Sequence, residues 1–335
     1  MPEKKSPGER ASGRHDSPAG RPEFLAGPGD ALTDILCCPN CRGDLEVTVP
    51  SSCLSCRTCG ESYTSSQGIW EMFRAADVRD QEFVRYRADY EEHARVNLAS
   101  PVPDVTQWSW LRSLSEFIGS RGNSLVLDVG AADGKLGELL RGKVICFDVS
   151  LAYLKAAREK GLPAVAGRAE ALPFKKVFDA AVLSNILEHV PAPEALVDQL
   201  SHVLKPGGSL YVAVPYKEDL EWYEDEDVLD PHLTSFDFHR IERLLKDFRI
   251  TRHKFILFTD SRPLYFLKTR LKRLSPSLYD RLRRLKNNGG PAKAAPFPEW
   301  RHSLNYLPGA LVRPFLRPYL ILIEAERIET LRSGE

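Results

Sequence analysis

Leu127-Asp128-Val129-Gly130-Ala131-Ala132-Asp133-Gly134 joins a short apolar run, Leu125–Val129, to a helical stretch that begins at Lys135. A buried strand that ends in an acid and turns through small residues into a helix marks the edge where open α/β sheets bind ligands. Small residues at 130, 131, 132 and 134 let a ligand approach the backbone closely. A helix that starts at Gly134 would turn its amide dipoles toward that ligand. The next glycine after Gly130 is Gly134, so the loop is not the G-x-G-x-x-G of a dinucleotide site. Asp128 fits poorly with a pyrophosphate and better with a ligand that has a cationic end. A tight strand-to-helix turn without a ligand is the plainer alternative.

Working outward, strands and helices alternate. Val144–Val149, Pro163–Ala166, Phe178–Leu183 and Ser209–Val214 read as strands. Leu151–Lys160 and Pro193–Leu204 read as helices, the second ended by Lys205-Pro-Gly-Gly. This order predicts a doubly wound, mostly parallel α/β sheet. Thr234–Lys246 reads as a capped helix. Ile250–Phe258 and Tyr319–Ile328 read as an antiparallel edge, giving seven strands in all. The intervening stretch, about 260–318, is then an insertion. Upstream, residues 77–120 carry apolar and aromatic positions at helical spacing, with Phe83, Tyr86, Tyr90, Trp108, Leu111, Leu114 and Phe117 among them.

Other strand ends add chemistry to the same edge. Asp148, in Phe147-Asp148-Val149-Ser150, can accept both hydroxyls of a ribose, because a carboxylate only accepts. Gly167-Arg168-Ala169-Glu170-Ala171-Leu172-Pro173-Phe174 could frame a purine. Phe178-Asp179-Ala180-Ala181-Val182-Leu183-Ser184-Asn185 brings in a fourth strand end.

With these pieces in order, residues 105–260 resemble a class I S-adenosylmethionine (SAM)-dependent methyltransferase of the type 11 group, which includes quinone-biosynthesis enzymes. The resemblance rests on LDVGAADG, FDVS, GRAEALPF, FDAAVLSNILEHV and LKPGGSLYVAVP. It implies SAM as cofactor, with Asp128 and Gly130 at its methionine end, Asp148 on the ribose, and Ala169 and Glu170 beside the adenine. Ala132, Gly134, Val149, Ser184 and Asn185 complete the candidate cofactor-binding set. Two departures stand out: Ala132 replaces a customary glycine, and Arg168 stands where the family often has Asp.

Six of the seven cysteines fall within Cys37–Cys59. Cys38-Pro-Asn-Cys41 and Cys56-Arg-Thr-Cys59 are C-x-x-C knuckles 14 residues apart, a spacing that suits one structural, tetrahedral Zn²⁺. Cys37 and Cys53 are spare, and Cys146 reads as a small buried residue. A metal-free thiol set is the alternative. Residues 31–75 are expected to form a zinc ribbon, with 1–30 a disordered tail and 76–335 the methyltransferase domain. ILCCPNCRGDLE, CRTCGESY and GIWEM also resemble the small zinc-ribbon proteins that partner methyltransferases.

Lys+Arg and Asp+Glu are equal at 46 each, so no global field marks a nucleic-acid or membrane binder. The start, MPEKKSPGER, lacks an apolar core for a secretory signal, and no run is long enough to span a membrane. A cytoplasmic location is the default expectation. Residues 261–317 hold 13 Lys/Arg against Asp280 and Glu299, whereas 218–230 hold eight acids. The basic stretch suits an anionic acceptor, RNA, peripheral contact with a membrane surface, or simple solvation.

His189 and His232 follow the fourth and fifth strands and are the candidate catalytic bases. For His189 a packing role is the simpler reading. The fourth strand carries no [DNS]-P-P-[YF] motif, which disfavours amino-group methylation of that type. The expectation is methyl transfer to a small-molecule or lipid-linked acceptor, at oxygen. The alternatives are an rRNA or tRNA base methyltransferase and a non-catalytic SAM-binding scaffold.

Overall fold

The computed structural model describes residues 32–48, 52–99, 105–140, 142–217, 220, 232–261, 270–271, 274–275, 277–278 and 316–328. The tail at 1–30, nearly all of the acidic stretch at 218–230 and most of the basic insertion lie outside the described residues.

The parallel core has strands β5 (Leu125–Val129), β6 (Lys143–Asp148), β7 (Ala164–Ala166), β8 (Phe178–Ser184) and β9 (Leu204–Pro215). β10 (Phe248–Ser261) and β11 (Leu316–Arg327) form the antiparallel edge, with β11 inserted between β9 and β10. These seven strands run in the order β7-β6-β5-β8-β9-β11-β10. Chain order reverses direction at β5, next to β8. This is the switch point beside which doubly wound sheets open a ligand crevice. Near-continuous apolar runs make such strands because both faces are covered. Val126, Leu127 and Val129 are accordingly buried on β5.

Four N-terminal strands extend the same sheet. β1 (Leu45–Thr48), β2 (Cys53–Cys56), β3 (Ser62–Ser66) and β4 (Ile69–Glu71) are antiparallel neighbours. β4 then pairs in parallel with β7, Trp70 opposite Val165 and Glu71 opposite Ala166. Leu36, Tyr63, Trp70 and Met72 share one apolar cluster with Phe147, Leu172 and Phe174. The ribbon therefore shares core and hydrogen bonds with the larger sheet.

Helices α1 (Ala75–Arg79), α2 (Gln81–Ala99) and α3 (Val105–Ile118) follow β4. α4 (Lys135–Leu139), α5 (Leu151–Glu159) and α6 (Pro193–Val203) cross between strands. α7 (Phe238–Leu244) corrects the helix expected from Thr234. Asp237 is the residue that caps it, accepting from the Arg240 amide at 2.8 Å. α4 has only five residues, so its dipole at the ligand edge is small. After α6 the Pro-Gly-Gly segment does not separate helix from strand. β9 is continuous from Leu204, and the segment breaks its register with β8 between Phe178 and Ala180.

Candidate functional site

A cavity of about 310 Å³ opens at the carboxyl ends of β5, β6, β7 and β8. Its floor includes Gly130, Asp148, Val149, Gly167, Ala169, Glu170, Asn185 and His189. Of the remaining candidates, Asp128, Ala132, Gly134, Ser184 and His232 do not line it. The β5 end needs its glycine. Gly130 has φ +73°, and a Cβ there would lie 2.9 Å from Ile186. Its amide and that of Ala131 donate to the Phe147 carbonyl at 2.8 and 3.1 Å, closing the loop onto β6. Gly134 answers a different need: a Cβ there would strike Leu162 and Ala157, so it serves helix packing.

Asp148 is 3% exposed and fastens the loop. Its two oxygens accept from the Ala132 and Ser150 amides, each at 2.9 Å. A carboxylate has about four acceptor positions, and Asp148 lines the cavity.

Asp128 is buried at 1% exposure, and neither oxygen has a hydrogen-bond partner among the described residues. Burial, and then the charge of Asp148, push its carboxyl up to about 7. A buried carboxyl left without donors is costly unless a cation or a donor group completes it. Ser184 Oγ and Asn185 Oδ1 also have no hydrogen-bond partner among the described residues, so the β8 end offers further polar capacity.

A helix from outside the parallel core forms one wall. Phe83, Tyr86 and Tyr90 of α2 line the cavity at helical spacing. Glu91 anchors that helix, accepting from Ser150 Oγ at 2.7 Å and the Ala152 amide at 3.0 Å. Arg168 binds the wall to the floor. Its guanidinium lies 3.1 Å from Asp80, 3.4 Å from Glu170 and 3.5 Å from the buried Asp77, and over the Phe83 ring at 4.6 Å. The periodicity of Phe83, Tyr86 and Tyr90 indicated a helix but not which surface it covers.

The four knuckle thiols converge. Cys38 and Cys59 Sγ are 3.6 Å apart, and Cys41 and Cys56 Sγ 3.4 Å apart. A zinc tetrahedron with 2.3 Å bonds requires about 3.8 Å between sulfurs, so the donor set fits that ion. Cys56 is lowered to about 6: burial raises it, but the Cys59 and Thr58 amides and the neighbouring thiols outweigh that. The spare Cys37 is buried and pushed up to about 11, first by that burial.

Next to Cys41, Arg42 donates to the Leu172 carbonyl at 2.7 Å and the Phe174 carbonyl at 2.6 Å. These carbonyls belong to the loop that carries Ala169 and Glu170. Nothing in the sequence around Arg42 signals a partner 130 residues away.

His189 and His232 meet edge to face, with ring centroids 4.6 Å apart. Their segments are joined by the Leu233 and Thr234 amides, which donate to the Glu188 carbonyl at 2.7 and 3.2 Å.

This loop, strand order and crevice define the chain as carrying a class I SAM-dependent methyltransferase domain. Residues 127–212 match the family model described as "Methyltransferase domain". Among curated relatives, the ubiquinone biosynthesis O-methyltransferase of Xylella fastidiosa is 39% identical over 99 residues, 26% of this chain and 40% of that protein. The ubiquinone/menaquinone biosynthesis C-methyltransferase UbiE of Salmonella arizonae is 32% identical over 152 residues, 40% of this chain and 57% of that protein. The matches thus span only about half the length of these relatives. A solved complex between the Haloferax volcanii Trm112 methyltransferase activator and a methyltransferase is 16% identical, covering 73% of this chain and 98% of that one at a TM-score of 0.48. A Haemonchus contortus phosphoethanolamine N-methyltransferase bound to SAM is 15% identical, covering 76% of this chain and 60% of that one at a TM-score of 0.43. No described helix is long and apolar enough to cross a membrane.

Proposed function

We propose that the chain transfers a methyl group from SAM to a hydroxyl of a small-molecule or lipid-linked acceptor. The convergence of Gly130, Asp148, Glu170 and Asn185 on one cavity carries this reading. When bound, SAM supplies an electrophilic methyl on a sulfonium. Asp128, buried and without a donor, would hold the cationic methionine end, with Gly130 giving that end room. Asp148, which lines the cavity, would hold the ribose hydroxyls through its carboxylate. Ala169 and Glu170 would frame the adenine, with Arg168 fixing Glu170 in place. Tyr86 and Tyr90 would exclude water from above. His232 or His189 stands ready to take the acceptor's proton at a ring nitrogen. The residues from 31 to 75 would form a zinc-bound ribbon that supports the adenine loop through Arg42.

Isothermal titration of the zinc-loaded chain with SAM tests the donor site, and no heat of binding overturns it. Labelled SAM with a cell extract, followed by identification of the labelled product, tests the acceptor class. A second reading, RNA base methylation, is favoured by the 13 Lys/Arg among residues 261–317. Salt-sensitive binding to total RNA would support it in place of the first.

A further inference from the structure

The wall helix α2 makes a second contact with the donor floor, away from its aromatic face. Tyr86 and Tyr90 line the cavity, whereas Glu91 turns to the start of α5. One Glu91 oxygen accepts from Ser150 Oγ at 2.7 Å and the other from the Ala152 amide at 3.0 Å. Ser150 is fully buried, and its hydroxyl is committed on both sides. Its proton goes to Glu91, and its oxygen accepts from the Tyr153 amide at 3.2 Å as the cap of α5. The Ser150 amide in turn donates to Asp148 Oδ1 at 2.9 Å. Glu91, Ser150 and Asp148 thus form one chain of hydrogen bonds. It runs from a helix outside the parallel core to the carboxylate that ends β6. The same two helices are held together by the Tyr90 and Tyr153 rings, 6.0 Å apart, and by Asn97 Nδ2, which donates to the Tyr153 hydroxyl at 2.8 Å.

We propose that Glu91 is a positioning residue for recognition of the donor's ribose. It fixes Ser150, and through the Ser150 amide it fixes the plane of the Asp148 carboxylate. Two charge-assisted hydrogen bonds to one helix turn leave Ser150 little freedom to rotate. Without them Ser150 could still cap α5 through Tyr153, but its amide would no longer be aimed at Oδ1. The Ala132 amide holds only the other oxygen of Asp148. A bidentate grip on two ribose hydroxyls needs both carboxylate oxygens in one fixed plane. A carboxylate that rotates weakens that grip and leaves the methionine and adenine ends of the donor untouched.

This role rests on the reading of Asp148 as the ribose acid. It gives α2 two tasks: one face presents Tyr86 and Tyr90 to the cavity, and the other sets the acid that grips the sugar. A Glu91 that only packs α2 against α5 would affect every part of the donor alike. A Glu91 that works through Asp148 affects the ribose alone. Two ligands that differ only in their ribose hydroxyls separate these cases.

The test is calorimetry of the zinc-loaded full chain with S-adenosylhomocysteine and with its 2′,3′-dideoxyribose analogue. The parent chain should prefer S-adenosylhomocysteine by about a hundredfold, the scale of hydrogen bonds to a charged group. Glu91→Ala should cut that preference to about tenfold or less, weakening S-adenosylhomocysteine while the analogue stays within about twofold. Glu91→Gln keeps one acceptor oxygen and should restore part of the preference. Ser150→Ala breaks the same chain at its middle, so it keeps the test decisive if Glu91→Ala fails to fold. The double variant should lose no more preference than either single one, because both act along one path. Equal losses for the two ligands in Glu91→Ala and Ser150→Ala overturn the role, as does a parent preference that both variants retain. Failure of the underlying reading looks different: the parent chain itself would not distinguish the two ligands, which overturns Asp148 as the ribose acid and the role of Glu91 with it.

Discussion

Cys38, Cys41, Cys56 and Cys59 come from two tight turns of one small strand assembly, and together they can enclose an ion completely. Glu188, His189 and His232 come from two segments far apart in the chain, brought together by the fold of the larger sheet, with His189 lining the cavity. A closed four-thiolate set contributes to folding, whereas groups that line a cavity contribute to binding. The two ends of the molecule should therefore respond differently to mutation. Changes at the ribbon should appear first as lost stability. Changes at the cavity should appear first as lost binding.

The largest effect is expected for Cys56→Ser. It removes one of four thiolates and leaves the rest of the ribbon with little core of its own. A loss of about 5 kcal/mol or more is expected, since structural zinc supplies folding energy directly. Zinc content and thermal unfolding measure it. Because β4 pairs with β7, S-adenosylhomocysteine affinity should fall as well. Intact affinity in a zinc-free chain would break the link between ribbon and donor site.

Asp148→Asn should give the cavity's counterpart. It replaces an anionic acceptor that holds two loop amides and faces the cavity. Affinity for S-adenosylhomocysteine should fall about a hundredfold, or about 2.7 kcal/mol, by calorimetry. Zinc content should not change.

Arg42→Ala tests the point where the two regions meet. The residue belongs to the ribbon, yet its guanidinium serves two carbonyls of the adenine loop. Removing a charged donor from partly buried carbonyls costs about 2 kcal/mol. Zinc should stay bound while S-adenosylhomocysteine affinity weakens several-fold. Unchanged affinity would assign Arg42 to stability alone.

Asp128 makes the cavity pH-sensitive. Its folded-state carboxyl is raised to about 7 by burial and by Asp148, above the ordinary value of 3.8. The sign follows from that direction. The chain without ligand is most stable, as far as Asp128 is concerned, below the ordinary value, and it loses that contribution as pH rises through about 7. A ligand with a cationic end favours the ionised form. Affinity for S-adenosylhomocysteine should thus rise about tenfold per pH unit below the midpoint and level off above it. Asp128→Asn should flatten the profile.

The sequence was most legible where the determinants are local. The C-x-x-C pairs named all four thiols that converge. The apolar strand runs and the LDVGAADG turn announced the parallel sheet and the edge that opens into the cavity. What escaped is long-range. No residue near Arg42 points to Leu172, and no spacing joins Glu188 to His232. The ribbon's pairing with β7 was hidden because a three-residue strand such as β4 carries almost no periodic signal. The start of α7 is ambiguous in sequence because Thr234 and Asp237 are both capping residues, and only the amide of Arg240 chooses between them.

Ala132 should give the smallest effect, and it separates the demands of backbone and ligand. Its φ is +45°, in the left-handed region that an L side chain occupies only at a cost of about 1 kcal/mol or more. The Asp148 carboxylate holds it there by accepting from its amide. Ala132→Gly relieves that cost in the folded chain. Glycine also widens the unfolded ensemble, which offsets the gain by about 0.4 to 1 kcal/mol. The net change in thermal stability should stay within about 1 kcal/mol. Affinity for S-adenosylhomocysteine should be kept, because the residue 132 amide still meets Asp148. A loss of affinity above threefold would mean that the Ala132 methyl group itself shapes the donor site.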